Sequence, residues 1–323
     1  MANLSHIGVL GAGAWGTALA LAAQAAGRKT TLWVREDDVL AAIRHSGKNR
    51  FLPQVTIPKD LAVTGDLAQA AQADALLLVV PAQVLHAFAE SLKPHLRSGQ
   101  PLVICAKGIE KGTGRLVTEV LAQALPDAAQ AVLSGPSFAR DVARGLPTAV
   151  TIAAKGDLAG RLQTALGSAA FRPYASDDLT GVALGGAAKN VYAIACGVVE
   201  GMGLGENARA ALLARSFAEL SRLGEALGAR RETLMGLSGL GDLVLTATSK
   251  SSRNFSYGAA LGSGNAPDGK LAEGVDTAPA LVTRARALGV EMPIAEAMAD
   301  LLSGALPLEQ AMMRLMSRKL TVE

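Results

Sequence analysis

The sequence predicts a doubly wound α/β sheet followed by an all-α C-terminal domain, and three observations carry that prediction. Short apolar runs alternate with helix-compatible stretches through the first half of the chain, a glycine fingerprint closes the first of those runs, and beyond residue 180 long Ala/Leu-rich segments take over. At 323 residues the chain exceeds the usual length of one compact core. The expected organisation is therefore a sheet domain over residues 1–180 and a helical domain over residues 181–323.

The first run, residues 7–10, feeds directly into Gly11, Gly13 and Gly16, a GxGxxG pattern that opens a helix-compatible stretch over residues 17–26. In a Rossmann-type turn the first glycine permits the tight bend and the second lets backbone approach a pyrophosphate. The third lets the helix pack on the sheet, and the anion rests on unpaired N–H groups at the helix start. With 35 glycines in the chain, the pattern gains its weight from lying between a strand and a helix. Residues 7–27 carry no charge and are long enough to suggest a membrane span. Five glycines interrupt them, Gln24 would sit in lipid, and no basic segment precedes them, so a buried strand and helix are expected and no transmembrane segment.

Residues 30–34 supply the next strand. Residues 75–80 are apolar on both faces, as a central parallel strand must be, and Pro81 ends them where ligands approach strand carboxyl ends. Residues 102–106 and 131–133 continue the rhythm, and residues 148–153 and 171–176 offer further strands. After Asp177, residues 186–199, 207–227, 277–288 and 294–302 have helical patterning, and residues 262–269 have the composition of an exposed loop.

The 31 basic and 28 acidic side chains leave a net charge of +3 with no dense basic block, so nucleic acid is not an expected partner. Cys105 and Cys196 lie far apart and outside any metal-ligand spacing, which argues against a disulfide framework and a metal site and fits a reducing cytoplasm.

All four histidines fall in the first hundred residues, leaving the helical domain no imidazole for acid–base work. It offers Lys189 and Asn190 instead, interrupting an apolar helix. A buried ammonium needs a partner, whereas a lysine near a helix end snorkels to solvent, and the pattern alone leaves both open. Lys107 follows the strand over residues 102–106 at the edge where a nicotinamide would lie, or is an ordinary turn lysine. Asp242, Thr246, Ser252, Arg253 and Asn254 gather a carboxylate, a guanidinium and small donors in a short span, which suits a phosphate dianion or a capped loop. At the second strand's end Arg35 stands where an acidic residue would hold a ribose hydroxyl, so NADPH acceptance is expected, with NADH favoured if Glu36 turns inward.

Taken together, the motifs GAGAWGTALA from Gly11, AKGIE from Ala106, SGPSFA from Ser134, GLPTAV from Gly145, LGGAAKNVYAI from Leu184, NARAAL from Asn207, GLSGLGDLVLT from Gly236 and SRN from Ser252 resemble, in order and nearly end to end, bacterial NAD(P)-dependent glycerol-3-phosphate dehydrogenases. The resemblance implies a Rossmann domain followed by a helical substrate domain. It implies reversible oxidation of sn-glycerol 3-phosphate to dihydroxyacetone phosphate with NAD or NADP, running physiologically toward the phospholipid backbone. By the same resemblance Lys189 is the acid/base, Lys107 contacts substrate and cofactor, and Asp242 and Thr246 hold the polar centre. Gly135, Ser137, Ser252, Arg253 and Asn254 bind substrate, while Trp15, Arg35, Ala139, Arg253 and Glu273 line the cofactor site together with the fingerprint. Two departures stand out: Ala14 replaces a serine often found in the fingerprint, and Leu271 stands where valine often precedes Glu-Gly. A cytoplasmic enzyme is expected, with a homodimer as the assembly considered. The competing readings are a 3-hydroxyacid or phosphogluconate-type dehydrogenase, which would recognise a carboxylate, and a dinucleotide-sensing regulatory module without turnover.

Overall fold

The computed structural model describes residues 4–269 and 271–316. The chain divides into two compact units, one running to Lys107 and resuming over Val117–Ala183, the other formed by Gly108–Leu116 and the chain from Leu184 onward. The first unit alternates β1 (His6–Leu10), α1 (Ala14–Ala25), β2 (Lys29–Trp33), α2 (Asp37–Ser46), β3 (Ala62–Thr64), α3 (Leu67–Ala70), β4 (Ala75–Leu78), α4 (Leu85–Leu92), β5 (Pro101–Ile104), α5 (Val117–Ala124), β6 (Ala129–Ser134), α6 (Ala139–Ala143), β7 (Thr148–Ala154), α7 (Leu158–Leu166) and β8 (Phe171–Ser176).

Its eight strands stand in the order β3-β2-β1-β4-β5-β6-β7-β8, with only β6 and β7 antiparallel. The chain winds outward from β1 through β2 to β3 and then returns to place β4 on the other side of β1. That reversal opens the crevice at the strands' carboxyl ends in which α/β sheets hold ligands. The apolar strands obey the two-residue period: Leu77 and Val103 join α1's Leu19 in one core, while Leu76, Leu78, Leu102 and Ile104 join Leu85 of α4 and Val120 of α5 in the other. Both faces are covered, which is why β4 is buried throughout and reads as a continuous apolar run. Strand β3, three residues with one buried, carries too little apolar signal to have been expected.

The second unit contains most of α8 (Leu179–Gly201), then α9 (Gly205–Ala226), α10 (Arg231–Met235), α11 (Asp242–Ala247), α12 (Arg253–Gly262), α13 (Glu273–Ala287), α14 (Pro293–Leu302) and α15 (Leu308–Met316). Helix α8 is apolar on every side and buried from Gly181 to Val199, the pattern of a helix surrounded by others. By length and composition it would pass as a membrane span, yet the qualifying stretch is entirely buried. Helix α12 crosses it with backbones touching: a Cβ on Gly258 would lie 2.0 Å from the Ile194 carbonyl oxygen, and one on Gly197 2.1 Å from that of Phe255. The exposed loop expected over residues 262–269 begins as α12 ends at Gly262.

Candidate active site

In the sheet unit, β1 ends at Leu10 and Gly11 turns the chain with φ +120°, a conformation closed to side chains. A Cβ on Gly16 would lie 1.8 Å from the Gly11 carbonyl oxygen, so the first turn of α1 can pass this close to the end of β1 only with a glycine there. Gly13 is exposed and a Cβ on it would meet no atom within 4 Å. It caps α1 with no side-chain hydrogen bond, leaving the first-turn N–H groups of Ala14, Trp15 and Gly16 for an anion. The buried indole Nε1 of Trp15 also lacks a hydrogen-bond partner. These are the cradle and donors that the diphosphate of NAD or NADP requires, and the residues fit that group. Ala139 opens α6, which packs on α1. At the end of β2 the exposed Arg35 guanidinium meets the Glu36 carboxylate at 2.8 Å. Glu36 therefore faces Arg35 instead of standing alone as a ribose acceptor.

Lys107, Gly135 and Ser137 come together at the ends of β5 and β6. Lys107 Nζ donates to the Gly135 carbonyl at 3.0 Å and Ser137 Oγ donates to the same oxygen at 2.9 Å. Gly135 has φ +153° and would place a Cβ 2.8 Å from Val150 Cα, so no other residue fits this turn. Cys105, two residues before Lys107, is no nucleophile: burial pushes its thiol up despite the Lys107 cation.

In the helical unit Lys189 does not snorkel. It lies mid-helix and buried, with Nζ donating to Asp242 Oδ1 at 2.8 Å and to Thr246 Oγ1 at 2.7 Å. Thr246 Oγ1 in turn donates to Asp242 Oδ1 at 3.2 Å. Both partners sit on α11, one turn apart, and a π-helical turn over Leu237–Gly241 aims that helix. The side chains of Lys189 and Asp242 are 9% and 1% exposed, so each ion needs compensation inside the protein, and this pairing supplies part of it.

Ser252, Arg253 and Asn254 begin α12. Ser252 Oγ caps the helix by accepting from Phe255 N–H at 3.2 Å, and Arg253 extends from the first turn into solvent. Asn254 is buried, donating to Asn190 Oδ1 at 2.9 Å and accepting from Gly274 N–H at 2.9 Å. Glu273 starts α13, and Leu271 just before it is exposed. Asn190 thus belongs to this cluster; the only sequence signal was a second polar residue inside an apolar helix. Asn49, buried beneath the fingerprint, gave none, because it lies in an irregular segment with no periodicity.

Among the described residues no group of three or more His, Cys, Asp or Glu side chains is placed to hold a metal.

The model of the NAD-dependent glycerol-3-phosphate dehydrogenase N-terminus matches residues 6–159, and that of the C-terminus matches residues 178–313. The chain belongs to this family. It is 55% identical over 324 residues to a glycerol-3-phosphate dehydrogenase [NAD(P)+] of Afipia carboxidovorans, and 57% identical over 325 residues to one of a Bradyrhizobium species, covering 100% of both chains in each case. Among solved structures, a glycerol-3-phosphate dehydrogenase of Coxiella burnetii superposes with a TM-score of 0.92 at 39% identity, over 97% of this chain and 99% of that one.

Proposed function

We propose that this chain is an NAD(P)-dependent sn-glycerol-3-phosphate dehydrogenase that reduces dihydroxyacetone phosphate and supplies the glycerophospholipid backbone. The observation that carries the reading is the buried Lys189–Asp242–Thr246 triad, a lysine fixed by two partners in a unit that has no histidine. Bound NAD(P)H supplies the hydride. Lys189 Nζ then delivers a proton to the oxygen developing charge at the substrate's C2, and takes one back in the reverse direction. Asp242 and Thr246 hold the amine in one orientation, so no reorganisation is needed as that charge appears.

Gly11, Gly13, Ala14, Trp15, Gly16 and Ala139 serve the dinucleotide in the sheet unit. Arg35 is assigned to the 2′-phosphate of NADPH, and its pairing with Glu36 supports that assignment over a ribose-binding acid. Lys107, Gly135 and Ser137 form a fixed polar turn at the strand ends, suited to contacts with substrate. Arg253 and Asn254 are assigned to the substrate phosphate: a guanidinium at a helix start beside an amide favours a dianion, and Asn254 spends one N–H on Asn190. Leu271 and Glu273 are assigned to the cofactor site. The two cysteines, both buried and free, fit a cytoplasmic protein, and a homodimer is proposed as the assembly, read by light scattering.

The test follows absorbance at the nicotinamide band in chelator-treated protein, with dihydroxyacetone phosphate and with the 3-oxo acids that correspond to 3-hydroxyacids, using NADPH and NADH in turn. Oxidation of cofactor by dihydroxyacetone phosphate is expected. Turnover of the oxo acids alone would favour the hydroxyacid dehydrogenase reading, and cofactor binding with no turnover would favour a sensor.

A further inference from the structure

We infer that Asn49 is a positioning residue for the cofactor's diphosphate, fixing the Ala12–Gly13 peptide so that the Gly13 N–H stays turned outward to receive it. The inference rests on the dinucleotide reading of the fingerprint and adds to it a residue far outside that motif.

Asn49 is only 1% exposed, and a primary amide so deeply buried must satisfy its donors internally. Its Nδ2 donates to the Ala12 carbonyl at 2.8 Å and to Thr17 Oγ1 at 2.8 Å, while its Oδ1 accepts from Phe51 N–H at 3.0 Å. The Phe51 contact fixes which end of the amide is oxygen, so the donors can only face the glycine turn. Thr17 Oγ1 adds a longer contact to the same Ala12 carbonyl, at 3.4 Å. Side chains from two directions therefore grip the one carbonyl between Gly11 and Gly13.

In a trans peptide the C=O and the following N–H point in opposite directions. Anchoring the Ala12 oxygen inward turns the Gly13 N–H outward, to the side where Gly13 is exposed and open space begins. A glycine turn left to itself samples many conformations, and binding would have to select one of them at a cost in affinity. Asn49 removes that cost in advance.

The segment that carries Asn49 is itself closed. Gly47 ends α2 with φ +67°, its carbonyl accepts from Ile57 N–H at 2.8 Å, and the Asn49 carbonyl accepts from Leu52 N–H at 2.9 Å. Leu52, Val55 and Ile57 are buried, which pins this loop to the sheet unit. Asn49 is thus held from its own side as firmly as it holds the turn.

The experiment measures binding without turnover, by NADPH fluorescence and by displacement with two fragments. ADP-ribose keeps the diphosphate and lacks nicotinamide; adenosine 2′-monophosphate keeps the adenosine end and lacks the diphosphate. Asn49→Ser cannot reach the Ala12 carbonyl and adds no charge. Its Kd for NADPH and ADP-ribose should rise about tenfold or more, while that for adenosine 2′-monophosphate stays within about twofold. Equal loss on all three ligands, or no loss, overturns the inference, the first by showing that Asn49 only stabilises the unit as a whole. If the serine variant does not fold, Asn49→Asp, which keeps the Phe51 contact, is read by the same ratio. Wild-type protein that binds neither NADPH nor ADP-ribose would instead refute the dinucleotide reading itself.

Discussion

Replacing Lys189 by methionine preserves much of the side chain's length and takes the Lys189 cation away from the buried Asp242 carboxylate. At the observed 2.8 Å and an effective dielectric of about 20, the bare attraction between the two charges is about 6 kcal/mol. Desolvation of both ions offsets much of that, so the pair adds little net stability while either ion alone is costly. Lys189→Met should therefore destabilise the helical unit by about 3–5 kcal/mol, and Asp242→Asn, which takes the paired carboxylate from the buried ammonium, by a similar amount. The double variant Lys189→Met/Asp242→Asn contains no buried charge at this position, and its loss should fall short of the sum by about 2 kcal/mol or more. Urea unfolding followed by far-UV ellipticity reads the helical unit. Both tryptophans, Trp15 and Trp33, lie in the sheet unit, so their fluorescence serves as a separate probe. Additive losses across the cycle would refute the reasoning, because they would mean that neither charge depends on the other.

Three further outcomes follow from the same geometry. Arg35→Asp should raise the Kd for NADPH about tenfold or more while changing that for NADH little, since only the former offers a 2′-phosphate; equal changes would remove Arg35 from cofactor choice. Arg253→Ala should lower kcat/KM for dihydroxyacetone phosphate roughly ten- to hundredfold at saturating cofactor, and affect unphosphorylated dihydroxyacetone much less. Glu219 on α9 is buried, and its carboxylate accepts from the Ile294 and Ala295 N–H groups that begin α14. Burial nonetheless raises its pKa from 4.5 to about 7. The folded state then binds the proton more tightly than the unfolded chain, so stability should fall by about 3 kcal/mol as pH rises from about 4.5 to about 7. Glu219→Gln should flatten that fall in urea titrations at a series of pH values, and an unchanged slope would assign it to another group.

The sheet was legible because central parallel strands are apolar on both faces, so residues 75–80 and 102–106 announced β4 and β5 without ambiguity. Strand β3, with a single buried residue, left no such trace. The glycine fingerprint was legible for a steric reason that the structure bears out at Gly11 and Gly16. Lys189 was conspicuous as a charge inside an apolar helix, but its partners were not. Asp242 and Thr246 lie more than fifty residues away, and only the π-helical turn and the packing of α8 bring them within 3 Å. The contact between α8 and α12 depends on glycines whose meaning emerges only when two helices are paired. In the sequence Asn254 suits either a phosphate site or a capped loop, and the structure shows it tying α8, α12 and α13 together.

We assign to Lys189 the movement of the proton that accompanies hydride transfer to dihydroxyacetone phosphate. Its most direct test is single-turnover oxidation of enzyme-bound NADPH by saturating dihydroxyacetone phosphate, comparing wild type with Lys189→Met. The variant should bind NADPH as wild type does, because Lys189 is not among the residues assigned to the cofactor, and should oxidise it about 10² times more slowly or worse. A Lys189→Met protein that binds substrate and oxidises NADPH at close to the wild-type rate would contradict the account.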